Sequence, residues 1–332
     1  MLGWEAILYF VCLNLCAALG ISAVFAAFQE DLKWLMSSVA GTMHIMWGMQ
    51  WHGYEAVKGL DASTSGYAID SVWSICGNAR AVVVAFRGAD PYLQMDRRSD
   101  IPCGMVHAPG VGRVMGAFLR TLEQPFTSCQ NGKRAEHAEH SIAGDLIRQL
   151  RKVAEQRQIY LTGHSLGAAL AVLFGQLLCA RQPELARQVA GVITFAGPRV
   201  GDSEFVDLMS HRLPNRIFRY EHASDIVPRL PQASGYMHGG RLRYITSFRW
   251  PGQASRMIRE EDAPAYCKAC YQNEERWAYP ISLAKLIIGP FQETWPRVAL
   301  RLTLLPLPGL SDHMPCDYDA FFRSRLPSGL EA

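Results

Sequence analysis

Apolar residues gather along this chain in blocks of two lengths. Residues 81–86, Ala-Val-Val-Val-Ala-Phe, form an unbroken apolar run of strand length, and their β-branched content predicts a buried strand. The pattern returns at 159–162 (Ile-Tyr-Leu-Thr), at 191–196 (Gly-Val-Ile-Thr-Phe-Ala) and at 216–220 (Arg-Ile-Phe-Arg-Tyr), with a weaker strand-like run at 241–248. Longer blocks lie between them. Residues 140–156 carry apolar positions at helical spacing and predict an amphipathic helix, and residues 114–122 predict another. Residues 166–179 are almost wholly Leu, Ala, Val and Phe, as in a helix buried on every side. A Met- and Trp-rich stretch, 34–51, predicts a helix that covers one side of the core. Strands alternating with helices predict an α/β fold, a mainly parallel sheet with helices on both faces. Ligands of such sheets sit beyond the carboxyl ends of the strands. Ser165, Gly197 and Asp225 each fall just after a strand, so one crevice collects them.

The first 30 residues stand apart from this pattern. Residues 6–28 hold no charge, and Asn14 and Ser22 are their only polar side chains. A helix of that length reaches across a hydrocarbon core. A cleaved signal has a shorter apolar region behind a basic start, whereas only Glu5 and the free amine precede this run. A spanning membrane anchor is therefore the favoured expectation. A cleaved signal of a secreted protein, ending near Ala26, and a helix packed on the main domain are the alternatives. The expected organisation is an apolar segment at 1–30 and one α/β domain at 31–332, large enough to bury a substantial core. Lys and Arg do not outnumber the acids near the far end of the run, so no orientation follows.

Composition narrows the function classes. Apolar types make up 49% of the chain, which describes a folded protein. A formal net charge of +3 is too small to suggest a nucleic-acid partner. Nine cysteines are an odd number without framework spacing, so at least one has no partner within the chain. Cys267 and Cys270 form the only Cys-x-x-Cys. No second close pair accompanies them, so a zinc site would require His238 and Cys316 to fold in, and ordinary thiols or a local disulfide are the simpler expectation.

Chemistry concentrates at Gly163-His164-Ser165-Leu166-Gly167. A Gly-x-Ser-x-Gly is weak alone, but a strand before it and a helix after it make the context of a nucleophile elbow, as in α/β hydrolases. The glycines let strand and helix approach, and the turn holds Ser165 strained with its hydroxyl raised above the sheet. A serine hydroxyl needs a base, and the base needs a carboxylate to fix its tautomer. In this fold the acid and then the histidine follow the serine. Asp225 is the best acid, since it follows a strand and leads into the stiff Ile226-Val227-Pro228. Asp202 competes, but its place before Ser203-Glu204-Phe205 reads more simply as a helix N-cap. Among ten histidines, chain order leaves His238, set among glycines, and His313, in a loop before a C-terminal helix. The residues alone leave these two open. The backbone N–H of Leu166, directly after the nucleophile, is one expected oxyanion donor.

Several separated blocks, from about residue 65 to 322, resemble the lipase class 3 family of fungal-type triacylglycerol lipases in the same order. Residues 81–88 resemble its oxyanion strand, ending in Phe86-Arg87-Gly88, and Val106-His107 with Gly110 resembles the next block less well. Residues 162–170 are similar to its elbow, residues 195–202 to its Gly-x-Pro-Arg-Val-Gly block, and residues 225–231 to its acid block. His238-Gly239-Gly240 resembles a second, non-catalytic histidine block. Asp312-His313 with Tyr318 resembles the base block. The resemblance implies a triad of Ser165, Asp225 and His313, a second oxyanion N–H from Ala89, and no metal or organic cofactor. The family usually has Ser or Thr at the Ala89 position, so alanine keeps the backbone donor and loses a hydroxyl. The implied activity is a serine carboxylic-ester hydrolase acting on lipid esters such as acylglycerols, at a membrane or lipid–water interface. Alternatives are a phospholipase, acyltransferase or thioesterase on the same fold, and a catalytically silent, membrane-tethered lipid-binding protein. Residues 90–95 are read either as a lid or as a plain loop. Residues 277–310 are read as packed helices, with a lipid-facing element as the rival.

Overall fold

A computed structural model describes residues 61–67, 72–77, 79–86, 104–123, 128–130, 133–135, 141–222, 225–233, 235–246, 256–265, 267–268, 311–313, 318 and 321–322. In chain order, β1 (Asp61–Tyr67), β2 (Val72–Gly77) and β3 (Ala81–Phe86) lead into the short hairpin β4 (Met105–Ala108) and β5 (Gly112–Met115). Then come α1 (Gly116–Glu123), the small pair β6 (Ser128–Gln130) and β7 (Lys133–Ala135), and α2 (Ile142–Val153). The elbow elements β8 (Gln158–His164) and α3 (Leu166–Arg181) are followed by α4 (Pro183–Arg187), β9 (Val189–Phe195), α5 (Ser203–Arg212) and β10 (Ile217–His222). β11 (Arg241–Ile245) and β12 (Met257–Arg259) complete one eight-stranded sheet of order β1-β2-β3-β8-β9-β10-β11-β12. Its centre, β3 to β11, is parallel, and antiparallel strands close both edges.

Period-two alternation explains why the central strands are apolar throughout. Val82, Val84 and Phe86 of β3 face one core layer, with Ile159 and Leu161 of β8. Ala81, Val83 and Ala85 face the other, with Tyr160. The first layer is filled from α1, α2, α3, α4 and α5. Across the sheet, the second layer closes with Tyr318, Phe321 and Phe322 from the C-terminal segment against Phe195 and Tyr220. α3 is apolar all round because it is enclosed by β3, β8 and β9 on one side and other helices on the rest. Burying each of its leucines is worth about 1.5–3 kcal/mol, which anchors the helix that starts at the elbow.

Boundaries differ from the expected ones for identifiable reasons. The helix expected at 140–156 is α2, which starts at Ser141, whose hydroxyl accepts from the Gly144 N–H at 3.1 Å. It stops before Glu155, whose φ of 43° lies in the left-handed region. The helix expected at 114–122 loses its first two residues to β5, which pairs with β4 and whose Met115 N–H donates to Val200 O. The segments expected as an anchor (1–30), a covering helix (34–51), a lid (90–95) and packed helices (277–310) lie outside the described residues. Among the described residues no helix is long and apolar enough to cross a membrane.

Candidate active site

β8 runs straight into α3 through a single residue. Ser165 has φ 56° and ψ −126°, a conformation that costs about 1–3 kcal/mol and lifts its side chain out of the strand-to-helix path. The turn is held by the Ser165 N–H, which donates to Phe195 O at 3.0 Å, and by Ser165 O, which accepts from the Ala168 N–H. The glycine at 163 is required by contact. A Cβ there would stand 2.3 Å from the carbonyl carbon and oxygen of Gly167, both backbone atoms. A Cβ on Gly197 would stand 2.9 Å from the Ala168 Cβ. Glycines at 163 and 197 thus set the close approach of strand, helix and following loop.

His313 lies in a 3-10 turn, Ser311–His313, and reaches back across the sheet end. Its Nε2 is 2.8 Å from Ser165 Oγ, and its Nδ1 is 3.1 Å from both Asp225 carboxylate oxygens. Because the carboxylate only accepts, Nδ1 carries the proton and Nε2 is left as acceptor for the serine O–H. The His313 side chain is 13% exposed and that of Asp225 only 1%. A carboxylate so buried needs partners for both oxygens. Oδ1 accepts from the Val227 N–H at 2.9 Å, and Oδ2 from the Tyr318 O–H at 2.7 Å. Tyr318 O in turn accepts from the His222 N–H at 2.9 Å. Burial, and then the neighbouring Asp225 charge, push the Tyr318 phenol well above its ordinary pKa, so it stays a donor. The acid loop is braced from outside by Arg229 Nε on Asp225 O and by Arg199 on Pro231 O.

The rival residues sit elsewhere. Asp202 caps α5, its carboxylate accepting from the Phe205 N–H at 3.0 Å. His238 Nε2 donates to Pro228 O at 2.5 Å, on the flank of the acid loop rather than at Ser165. Burial and then the Arg219 guanidinium hold its imidazole well below its ordinary pKa, so it is neutral and serves as a structural donor. Leu166 opens α3, where the backbone N–H has no acceptor within the helix and faces the anion-favouring end of the dipole. Ala89, the other expected oxyanion donor, lies outside the described residues, as do Cys270 and Cys316. Cys267 is a buried thiol, and among the described residues no group of His, Cys, Asp and Glu is arranged to hold a metal.

Two contacts of the site were not legible in the residues. Tyr318 stands in the block that contains His313, but nothing in its spacing assigns its hydroxyl to Asp225. His164, the variable position of the elbow, places its Nε2 2.9 Å from His313 O.

Residues 83–235 match the family model for Lipase (class 3). Over that span the chain resembles the class 3 lipases. The matched span holds the elbow and the acid loop, while His313 lies beyond it. The chain is 28% identical over 278 residues to the triacylglycerol lipase OBL1 of Arabidopsis thaliana, covering 73% of this chain and 52% of that protein. It is 30% identical over 212 residues to phospholipase A1-II 3 of Oryza sativa subsp. japonica, covering 60% and 48%. It therefore spans about half the length of these plant relatives. Among solved structures, lipase II of Rhizopus niveus is 23% identical, with a TM-score of 0.46 over 67% of this chain and 82% of that one.

Proposed function

We propose that this chain is a serine carboxylic-ester hydrolase that cleaves acyl esters of lipids, acylglycerols foremost, through an acyl-enzyme. The observation that carries the reading is His313 bridging Ser165 and Asp225, at 2.8 Å and 3.1 Å. Ser165 Oγ attacks the ester carbonyl while His313 Nε2 takes its proton. Asp225 keeps the imidazole in the required tautomer and balances the imidazolium that forms. The developing oxyanion lies against the Leu166 N–H at the head of α3, with the Ala89 N–H as the second donor. Collapse expels the alcohol, which receives the proton from His313 Nε2. A water molecule, deprotonated by the same nitrogen, then attacks the acyl-serine, and collapse releases the fatty acid while His313 Nε2 returns the proton to Ser165 Oγ.

The acylglycerol class rests on the names of the relatives, of which the Arabidopsis protein is a triacylglycerol lipase. The rice relative, a phospholipase A1, favours a second reading in which the ester belongs to a phospholipid. The apolar run at 6–28 supports work at a membrane or lipid–water interface, since an anchored enzyme meets an insoluble substrate without leaving the surface. Fatty-acid release from tri-, di- and monoacylglycerol emulsions and from phosphatidylcholine vesicles, by wild type and Ser165→Ala, tests these statements together. Release from acylglycerols by wild type alone is expected. Release from phospholipid alone favours the second reading, and no release from any ester refutes both. Carbonate washing tests the anchor: full-length protein must stay with the membranes, and its release to the supernatant refutes a spanning segment.

A further inference from the structure

The residue before the nucleophile does work that the elbow motif does not ask of it. His164 ends β8, and its Nε2 lies 2.9 Å from the backbone carbonyl oxygen of His313. A carbonyl oxygen only accepts, so Nε2 carries a proton and donates. The two imidazoles also pack against each other, with ring centroids 4.7 Å apart and planes tilted by 35°, and the His164 ring meets Tyr318 edge-on at 5.7 Å. His313 is thereby gripped at both ends. Its ring is fixed by Ser165 and Asp225, and its main chain by the residue that adjoins Ser165 in sequence.

We propose that His164 is a positioning residue that clamps the base-bearing turn to the nucleophile strand, so that the distance from Ser165 Oγ to His313 Nε2 is set by one strand end. This rests on the triad reading given above. The turn at 311–313 reaches the site from 148 residues further along the chain than Ser165, and the contacts of the His313 ring act on the imidazole and not on the carbonyl behind it. The His164 donor ties that carbonyl directly to the end of β8. Because Ser165 directly follows His164, the last residue of β8, any shift of the strand end carries nucleophile and base together. Proton transfer needs this fixed spacing in the transition state more than in the bound ester. Loss of the clamp therefore acts on kcat and leaves KM unchanged.

Two variants separate the donor from the ring. His164→Phe keeps a ring against His313 and Tyr318 and removes the donor. His164→Gln removes the ring and keeps an N–H at a similar reach. Steady-state turnover of p-nitrophenyl butyrate is measured for wild type, both variants and Ser165→Ala, with urea unfolding of each as the check on folding. The clamp gives a kcat for His164→Phe lower by about a hundredfold at unchanged KM, and a kcat for His164→Gln within about threefold of wild type. Equal falls in both variants, no fall in either, or a change confined to KM overturns it. If His164→Phe does not fold, His164→Gln decides, and a folded Gln variant below about a tenth of wild-type kcat overturns the proposal. A wild type that turns over no faster than Ser165→Ala overturns the triad reading itself, and the clamp with it.

Discussion

Replacing Tyr318 with phenylalanine tests how the buried acid is held. The change removes one oxygen, fully inside the protein, that joins two groups: it donates to Asp225 Oδ2 at 2.7 Å and accepts from the His222 N–H at 2.9 Å. A hydrogen bond to a charged acceptor contributes about 1.5–3 kcal/mol, and a buried N–H left without its acceptor costs about 1–3 kcal/mol. Relief from burying the phenol oxygen returns about 1–3 kcal/mol, so the net destabilisation is about 2–3 kcal/mol. Urea unfolding should show this as a lower midpoint with an unchanged slope, because the aromatic ring still fills its place against Phe195 and His164. Val227 still holds Oδ1, so kcat falls by about tenfold rather than being abolished. A cycle with Asp225→Ala should give a coupling of about 1.5 kcal/mol. A loss below about 0.5 kcal/mol, or strict additivity with Asp225→Ala, would refute the claim that the phenol carries the carboxylate.

Three further changes probe other parts of the frame. Gly163→Ala drives a methyl into the Gly167 backbone and must open the strand–helix contact, so kcat/KM should fall by about a hundredfold, and a value within about threefold of wild type would contradict the elbow packing. Asp202→Ala should cost about 1 kcal/mol in urea unfolding and leave kcat unchanged, whereas a large loss of kcat would restore Asp202 as the acid. His238 has a folded-state pKa depressed well below 6.5, so below that pH the unfolded chain binds a proton that the folded chain refuses, and stability falls on acidification. That group adds a slope of up to about 1.4 kcal/mol per pH unit, and His238→Gln should flatten the unfolding free energy measured between about pH 6.5 and about pH 5. An identical slope in the variant would show that His238 is not the group responsible.

Elements with strong local signals were readable from the residues. β3, β8, β9 and α3 are apolar because the sheet buries both faces of its centre, and that requirement writes itself into composition. The elbow was readable because the Gly163 and Gly197 contacts admit no Cβ. β1 was not, since Asp-Ala-Ser-Thr-Ser-Gly-Tyr is a polar edge sequence with little propensity, and its strand character comes from pairing with β2. The β4–β5 hairpin was hidden because its pairing and its bond to Val200 O outweigh the helical spacing at 114–122. His238 and His313 could not be separated by residue type, because both follow Asp225 in turn-rich sequence. What separates them is tertiary closure, with His238 turned to Pro228 O and His313 brought 88 positions back to Asp225. The Tyr318 and His164 contacts share that origin.

The most direct measurement is covalent labelling with a fluorophosphonate, followed by mass spectrometry of the digested protein. Activation of one serine by His313 requires a single adduct on the peptide containing Ser165, absent in Ser165→Ala and formed at least about a hundredfold more slowly in His313→Ala. An adduct on a different serine, or wild-type labelling speed without the imidazole at 313, would contradict the account.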